Sequence, residues 1–205
     1  MSDIKNIEQH YSLDERPFLE KVRGFCQLVD DRYSPYLTDF LNPREIQIVE
    51  ELAHYYNLKF FVSSTLESEE YGRVILAPEY YELDDDDFEI KRLEISYARQ
   101  FNKLTHPKVL GALINQLGLD RQVFGDIILD EEGRVQFSIA SHLASYAIMT
   151  ITKIGNVSVT LKEVSKDDWI SNQENYSQFF VLLSSMRLDN VLATVLNLSR
   201  SNALK

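Results

Sequence analysis

The sequence predicts an α+β fold in three consecutive parts, at residues 1–83, 84–165 and 181–205. Two observations support this division: apolar residues recur at helical spacing in some stretches and alternate in others, and charge is distributed unequally. The net charge is −11, yet residues 1–90 hold 8 Lys and Arg against 21 Asp and Glu, whereas residues 91–165 hold 9 against 7. Because charges act over only about 10 Å at ordinary ionic strength, contact with a polyanion is predicted beyond the first part.

The first part is predicted to be a small domain of two helices and a hairpin. The first helix is indicated by apolar residues at helical spacing, with Asp14 as its cap: Phe18, Val22, Phe25 and Val29. The second begins at Asn42, followed by proline in the first turn and by Glu45, which can reach back to the cap. Residues 59–63 and 73–77 predict the two strands. The acidic run 82–87 is interpreted as a linker, because adjacent carboxylates cannot all converge on one metal ion.

From residue 91 the patterns follow the order strand, helix, strand, strand, helix, strand. Alternation indicates strands at 93–97, 124–129, 134–139 and 157–161. Pro107 and Ser141 mark the helix starts, and Gly118 and Gly155 are expected to end the two helices. This βαββαβ order, over about 75 residues, is the ferredoxin-like plan that RNA-recognition modules use.

Such modules usually stack bases on aromatic side chains of the central strands. Here the residues expected to face outward are not aromatic: Glu94, Ser96, Gln136 and Ser138. RNA is therefore predicted to contact edges and loops instead, and the candidate residues are Arg99, Lys103, His106, Lys108 and Arg121. The alternative is that these are ordinary solubilising charges.

The third part predicts two short helices, each beginning with an arginine. Arg187 opens the first, and Asp189 in its first turn can orient that arginine; Ser199 is the expected cap of the second, followed by Arg200. Two helix starts with guanidinium groups would form an anion cradle. The run Arg-Leu-Asp-x-x-Leu-Ala, then Ser-Arg-Ser-x-Ala-Leu, resembles the opening of the S4 RNA-binding domain. Since the sequence ends at Lys205, an incomplete S4 domain is expected; the alternative is a plain amphipathic hairpin with solvated arginines.

Two runs in the middle part resemble the YlmH family of bacterial S4-domain proteins. They read Asn-Lys-Leu-Thr-His-Pro-Lys-Val-Leu-Gly-Ala-Leu at 102–113 and Leu-Gly-Leu-Asp-Arg at 117–121, followed by Gly-Asp-Ile at 125–127. The resemblance extends in domain order over almost the whole chain. It implies binding to ribosomal RNA and tRNA on the large ribosomal subunit, and assistance to quality control of stalled translation. An older link to cell division is attached to the family name, and no DNA contact is expected.

The sequence offers little support for an enzyme. Four histidines lie at no metal-ligand spacing, seven glycines form no nucleotide-binding loop, and a single cysteine, Cys26, suits a reducing cytoplasm and a packing role. No apolar run is long enough to span a membrane. We therefore expect a cytoplasmic, non-enzymatic RNA-binding factor without metal or cofactor.

Two other classes stay open. One is a protein–protein adaptor whose acidic first part docks a basic protein. The other is an RNA-modifying enzyme, because Arg187-Leu188-Asp189 also occurs in the catalytic motif of pseudouridine synthases; here, however, Met186 precedes it instead of glycine.

Overall fold

The computed structural model describes residues 11–64, 69–170, 180–183 and 185–199. These residues belong to two compact units, divided between residues 172 and 173. Among these residues, the larger unit contains three antiparallel sheets, of three, four and two strands, with their helices, and the smaller contains one helix. The α+β class predicted from the sequence is confirmed.

The first half of the larger unit is a three-stranded sheet with two helices. In chain order its elements are α1 (Arg16–Arg32), β1 (Tyr36–Leu41), α2 (Pro43–Tyr55), β2 (Lys59–Val62) and β3 (Gly72–Ala77). The strand order is β1-β3-β2, and both pairings are antiparallel. The sequence did not predict β1, because a register shift between Leu37 and Phe40 interrupts the alternation on which strand prediction depends.

The predicted start of α2 is confirmed in detail. The side chain of Asn42 accepts a hydrogen bond from the backbone N–H of Glu45 at 3.0 Å, and the Glu45 carboxylate accepts one from the Asn42 N–H at 2.9 Å. The expected cap of α1 is wrong by one position: Glu15 occupies the cap, and Asp14 precedes it. The apolar faces of α1 and α2 pack against the three-stranded sheet.

The second half of the larger unit has the predicted βαββαβ order. Its elements are β4 (Ile90–Ser96), α3 (His106–Leu117), β5 (Phe124–Leu129), β6 (Val135–Ala140), α4 (Ser141–Thr150), β7 (Lys153–Ile154), β8 (Val157–Ser158) and β9 (Thr160–Glu163). The main sheet has the order β5-β6-β4-β9 and is antiparallel throughout, as in the ferredoxin-like plan. Apolar residues of β4 and β6 pack with those of α3 and α4 in one core.

One local expectation in this region is wrong. Helix α4 ends at Thr150, before Gly155; that glycine, with φ of +59°, lies in the turn of the separate β7–β8 hairpin. A left-handed conformation is what a tight hairpin turn requires and what glycine adopts freely.

The acidic run between the two halves forms an ordered 3-10 turn, Asp85–Phe88, which Asp84 caps. Its acidic side chains are exposed, and Phe88 is buried against Ile75 and Ala77.

Cys26 lies in the core of the first half, on the buried face of α1. Burial raises the pKa of its thiol to about 11, so the reactive thiolate is scarce at neutral pH. We expect a chromogenic disulfide reagent at pH 8 to leave the native chain unmodified and to titrate one thiol per chain in urea. Rapid reaction of the native protein would contradict the buried position.

Candidate RNA-binding surface

The face of the four-stranded sheet opposite α3 and α4 is covered by the chain itself. Four side chains of the central strands that alternate onto this face are buried: Arg92, Glu94, Gln136 and Ser138. Ser96 is half-buried, and Thr160 and Lys162 on the edge strand β9 are exposed. The expectation that Glu94, Gln136 and Ser138 face solvent is therefore wrong. The covering segments come from the first half of the unit and from residues 165–170, which are distant in sequence.

Residues 165–170, named here the strap, cross the sheet face after β9. The Ile170 N–H donates to Gln136 Oε1 at 2.9 Å, and Gln136 Nε2 donates to the Asp168 carbonyl oxygen at 3.0 Å. The Trp169 ring lies 4.1 Å from the guanidinium carbon of Arg92, within cation–π distance. The strap thus occupies the region where RNA-recognition modules present their aromatic side chains.

Another part of the sheet face is covered by the residues that immediately precede β3. Arg92 forms a buried ion pair with Glu69, whose carboxylate also accepts a hydrogen bond from Ser138 Oγ at 3.1 Å. Asp126 accepts hydrogen bonds from the backbone N–H groups of Glu70 and Tyr71, at 2.6 and 3.2 Å. These contacts cover the central strands at Arg92 and Ser138, so a base cannot stack on them there.

The buried carboxylate of Glu94 accepts hydrogen bonds on the covered sheet face. Burial favours the neutral carboxyl, but hydrogen bonds from Arg134, at 2.8 Å, and Gln136, at 3.0 Å, outweigh it and hold the pKa of Glu94 below its usual value. The carboxylate therefore stays ionised within a set of polar contacts across β4, β6 and the strap.

The helix side of the same domain carries a groove of about 520 Å³ between α3 and the β7–β8 hairpin. Gln116 Nε2 donates to the Lys153 carbonyl oxygen at 2.7 Å and joins the two walls. The polar side chains that line it are Lys103, Lys108, Asn115, Gln116 and Asn156. The sequence segments around these walls, residues 95–119 and 133–162, contain no Asp or Glu.

The predicted residues of the middle domain do not all lie together. Lys103 and Lys108 line the groove, and exposed His106 begins α3 between them in sequence. Exposed Arg99 lies outside the groove lining, beside the turn at Gly133. Arg121 is engaged within the protein: its guanidinium stacks 4.1 Å from the Tyr71 ring and donates to the carbonyl oxygen of Phe124.

Sequence reasoning missed the groove residues Asn115, Gln116 and Asn156. Asn156 lies 48 positions beyond Lys108 in the numbering, so spacing alone could not bring them to one surface. The sequence does hold one signal for this surface: residues 95–119 and 133–162 contain no Asp or Glu. The fold is needed to show that these two segments lie side by side.

In the smaller unit, Arg187 occupies the cap of α5 (Leu188–Val195). Its guanidinium is largely exposed and donates to Asp189 Oδ1 at 3.1 Å, and this hydrogen bond lowers the pKa of Asp189. Ser199 is exposed. Arg200 and the predicted second helix lie outside the described residues.

Among the described residues, no group of three or more His, Cys, Asp and Glu side chains is placed to hold a metal ion. In the same part of the chain, no helix has the length and apolar character needed to cross a membrane.

An RNA-recognition-like βαββαβ domain, joined to an acidic α+β domain that covers its sheet, defines the class of this protein. Residues 84–168 match the family model described as "Putative RNA-binding domain in YlmH". The chain is 32% identical over 200 residues to "Ribosome-associated protein quality control protein P2" of Bacillus subtilis (strain 168), covering 98% of this chain and 77% of that protein. The solved "Cell division protein ylmH from Streptococcus pneumoniae" is similar with a TM-score of 0.71 and 40% identity, covering 79% of this chain and 98% of that one.

The chain therefore belongs to the YlmH family, and the resemblance found in its sequence is confirmed. The family match supports an RNA-binding role for the middle of the chain.

Proposed function

We propose that this protein is a non-enzymatic factor that binds ribosomal RNA and tRNA on the large ribosomal subunit in the cytoplasm. We further propose that it acts in quality control of stalled translation, on subunits that still carry peptidyl-tRNA. The observation that carries the proposal is the match of residues 84–168 to an RNA-binding domain model. The name of the B. subtilis relative supports the ribosomal setting.

In this proposal the three parts 1–83, 84–165 and 181–205 have different roles, and residues 84–165 form the RNA-binding domain. Arg187 and Arg200 supply phosphate contacts, with Asp189 orienting Arg187 and Ser199 capping the second helix. Phosphate contacts fix orientation without reading sequence, which suits a factor that recognises one place on a large RNA. The acidic first part faces away from RNA, since like charges repel.

Co-sedimentation with purified large subunits, with and without peptidyl-tRNA, tests this proposal. For the Arg187→Ala/Arg200→Ala chain we expect weaker binding and a smaller salt dependence, with a slope of log K against log salt reduced by roughly 1 for each lost phosphate contact. Arg16→Ala/Arg32→Ala is the matched control, because both arginines are exposed on the acidic part. An unchanged slope in the first variant would exclude these arginines as contacts, and no preference for tRNA-bearing subunits would exclude the stalled-translation step.

A specific observation favours the adaptor class as second candidate. Tyr33 and Tyr80 are 63% and 55% exposed on the acidic part, with ring centroids 5.0 Å apart. Tyr80 Oη also donates to the Tyr33 carbonyl oxygen at 2.8 Å. Exposed aromatic side chains near acidic residues suit a basic protein segment. In the same assay, loss of binding in Tyr33→Ala/Tyr80→Ala but not in the arginine variant would favour the adaptor.

A further inference from the structure

We propose that the groove between α3 and the β7–β8 hairpin binds the phosphodiester backbone of RNA, with Lys103 and Lys108 as phosphate contacts. This inference deepens the proposed function and rests on it. It assigns the RNA contact of the middle domain to the helix side, opposite the surface that RNA-recognition modules ordinarily use.

The first step is that the sheet face is closed. The strap, the Glu69–Arg92 ion pair and the hydrogen bonds to Asp126 cover it. Opening it would leave buried charges without their partners, which is strongly unfavourable. RNA that reaches this domain therefore meets edges or the helix side.

The second step concerns the balance of charge. Three other cations of the domain lie close to carboxylates: Lys91 is 2.6 Å from Glu163, Arg134 is 2.8 Å from Glu94, and Lys162 is 3.7 Å from Glu94. Within the described part of the chain, the two lysines that line the groove, Lys103 and Lys108, form no such ion pair. Exposed lysines that no nearby carboxylate neutralises retain their full attraction for phosphate.

The third step concerns shape and hydrogen bonding. A volume of about 520 Å³ falls within the size range of ligand sites, and the groove is walled by a helix and a hairpin that Gln116 holds together. Asn115 and Asn156 are exposed on its walls and add uncharged donors and acceptors. Amide side chains can hydrogen-bond to ribose 2′-hydroxyls, the groups that distinguish RNA from DNA.

The test uses the 205-residue chain with a labelled single-stranded RNA and with large ribosomal subunits. We expect Lys103→Ala/Lys108→Ala to weaken RNA binding at least tenfold and to reduce the salt slope by roughly 1.4, because each phosphate contact on single strands contributes about 0.7. Lys162→Ala/Lys166→Ala is the matched control, since it removes two exposed lysines of the same domain that each lie within 4.0 Å of a carboxylate. Equal unfolding midpoints establish that the variants are folded.

The outcomes separate this inference from the function on which it rests. Wild-type RNA affinity in the Lys103/Lys108 variant would overturn the groove assignment, while subunit binding that depends on Arg187 and Arg200 would leave the proposed function intact. An equal loss of RNA affinity in the Lys162→Ala/Lys166→Ala control would also overturn the groove assignment, because the loss would then follow from the change in net charge. Failure of the unmodified chain to bind subunits would overturn both.

Discussion

Glu69→Ala should lower the free energy of unfolding by about 3–5 kcal/mol, the range for breaking a buried ion pair by removing one partner. The Glu69 side chain is 2% exposed and that of Arg92 is 3% exposed. Without the carboxylate, the guanidinium remains buried between the sheet and Trp169 and loses its ion pair with Glu69. Ser138 also loses the acceptor of its hydroxyl.

Urea unfolding followed by the fluorescence of Trp169, the single tryptophan, measures this effect at the site itself. Lys91→Ala is the control: it breaks the ion pair with Glu163 on the exposed edge and should cost less than about 1 kcal/mol. The double variant Glu69→Leu/Arg92→Met replaces both buried partners. It should lower the free energy of unfolding less than Glu69→Ala does, because it leaves no buried charge from this pair. A Glu69→Ala cost no larger than that of Lys91→Ala would show that the sheet face is open in solution.

Gly125→Ala should destabilise the protein by about 1–3 kcal/mol through overpacking. A Cβ at this position on β5 would lie 2.7 Å from Phe40 Cε1 and 2.9 Å from Ser138 Cβ. Phe40 is a fully buried side chain of β1, so its ring cannot move aside without disturbing the contact between the two sheets. The glycine is thus required for close approach and not for its backbone conformation.

Gly24→Ala is the appropriate control, because Gly24 is exposed on α1 and a Cβ there would meet nothing within 4 Å. It should stabilise the chain by about 0.5–1 kcal/mol through helix propensity. Phe40→Leu combined with Gly125→Ala should recover part of the loss by making room. If Gly125→Ala unfolds at the wild-type midpoint, the two sheets are not in close contact at this position.

The sequence predicted the features that are determined locally. The capping box at Asn42, the glycine stop after Leu117, and the position of each strand and helix along the second half each depend on a few neighbouring residues. It did not predict that Gln136 and Ser138 would be buried, because their alternation indicates only which face they share. What covers that face is Glu69 and the strap, on segments more than 25 positions away in the numbering.

The residues of the candidate surface also fall into two groups, those that the sequence could suggest and those that only the fold brings together. Lys103 and Lys108 stand near one another in sequence and could be proposed from it, whereas Asn156 joins them only through the βαββαβ topology. Arg121 belongs to the same sequence run, but the aromatic ring of Tyr71, 50 positions earlier, engages it in packing. Partners that distant cannot be deduced from spacing.

Hydrogen–deuterium exchange of the 205-residue chain, with and without large ribosomal subunits, tests the central claim most directly. RNA binding on the helix side predicts slower exchange in α3 and in the β7–β8 hairpin, with no change in β4 and β6, which stay beneath the strap. Slower exchange in β4 and β6, accompanied by faster exchange in residues 165–170, would mean that the strap leaves and that RNA binds on the sheet. That result would contradict the closed face and the groove together.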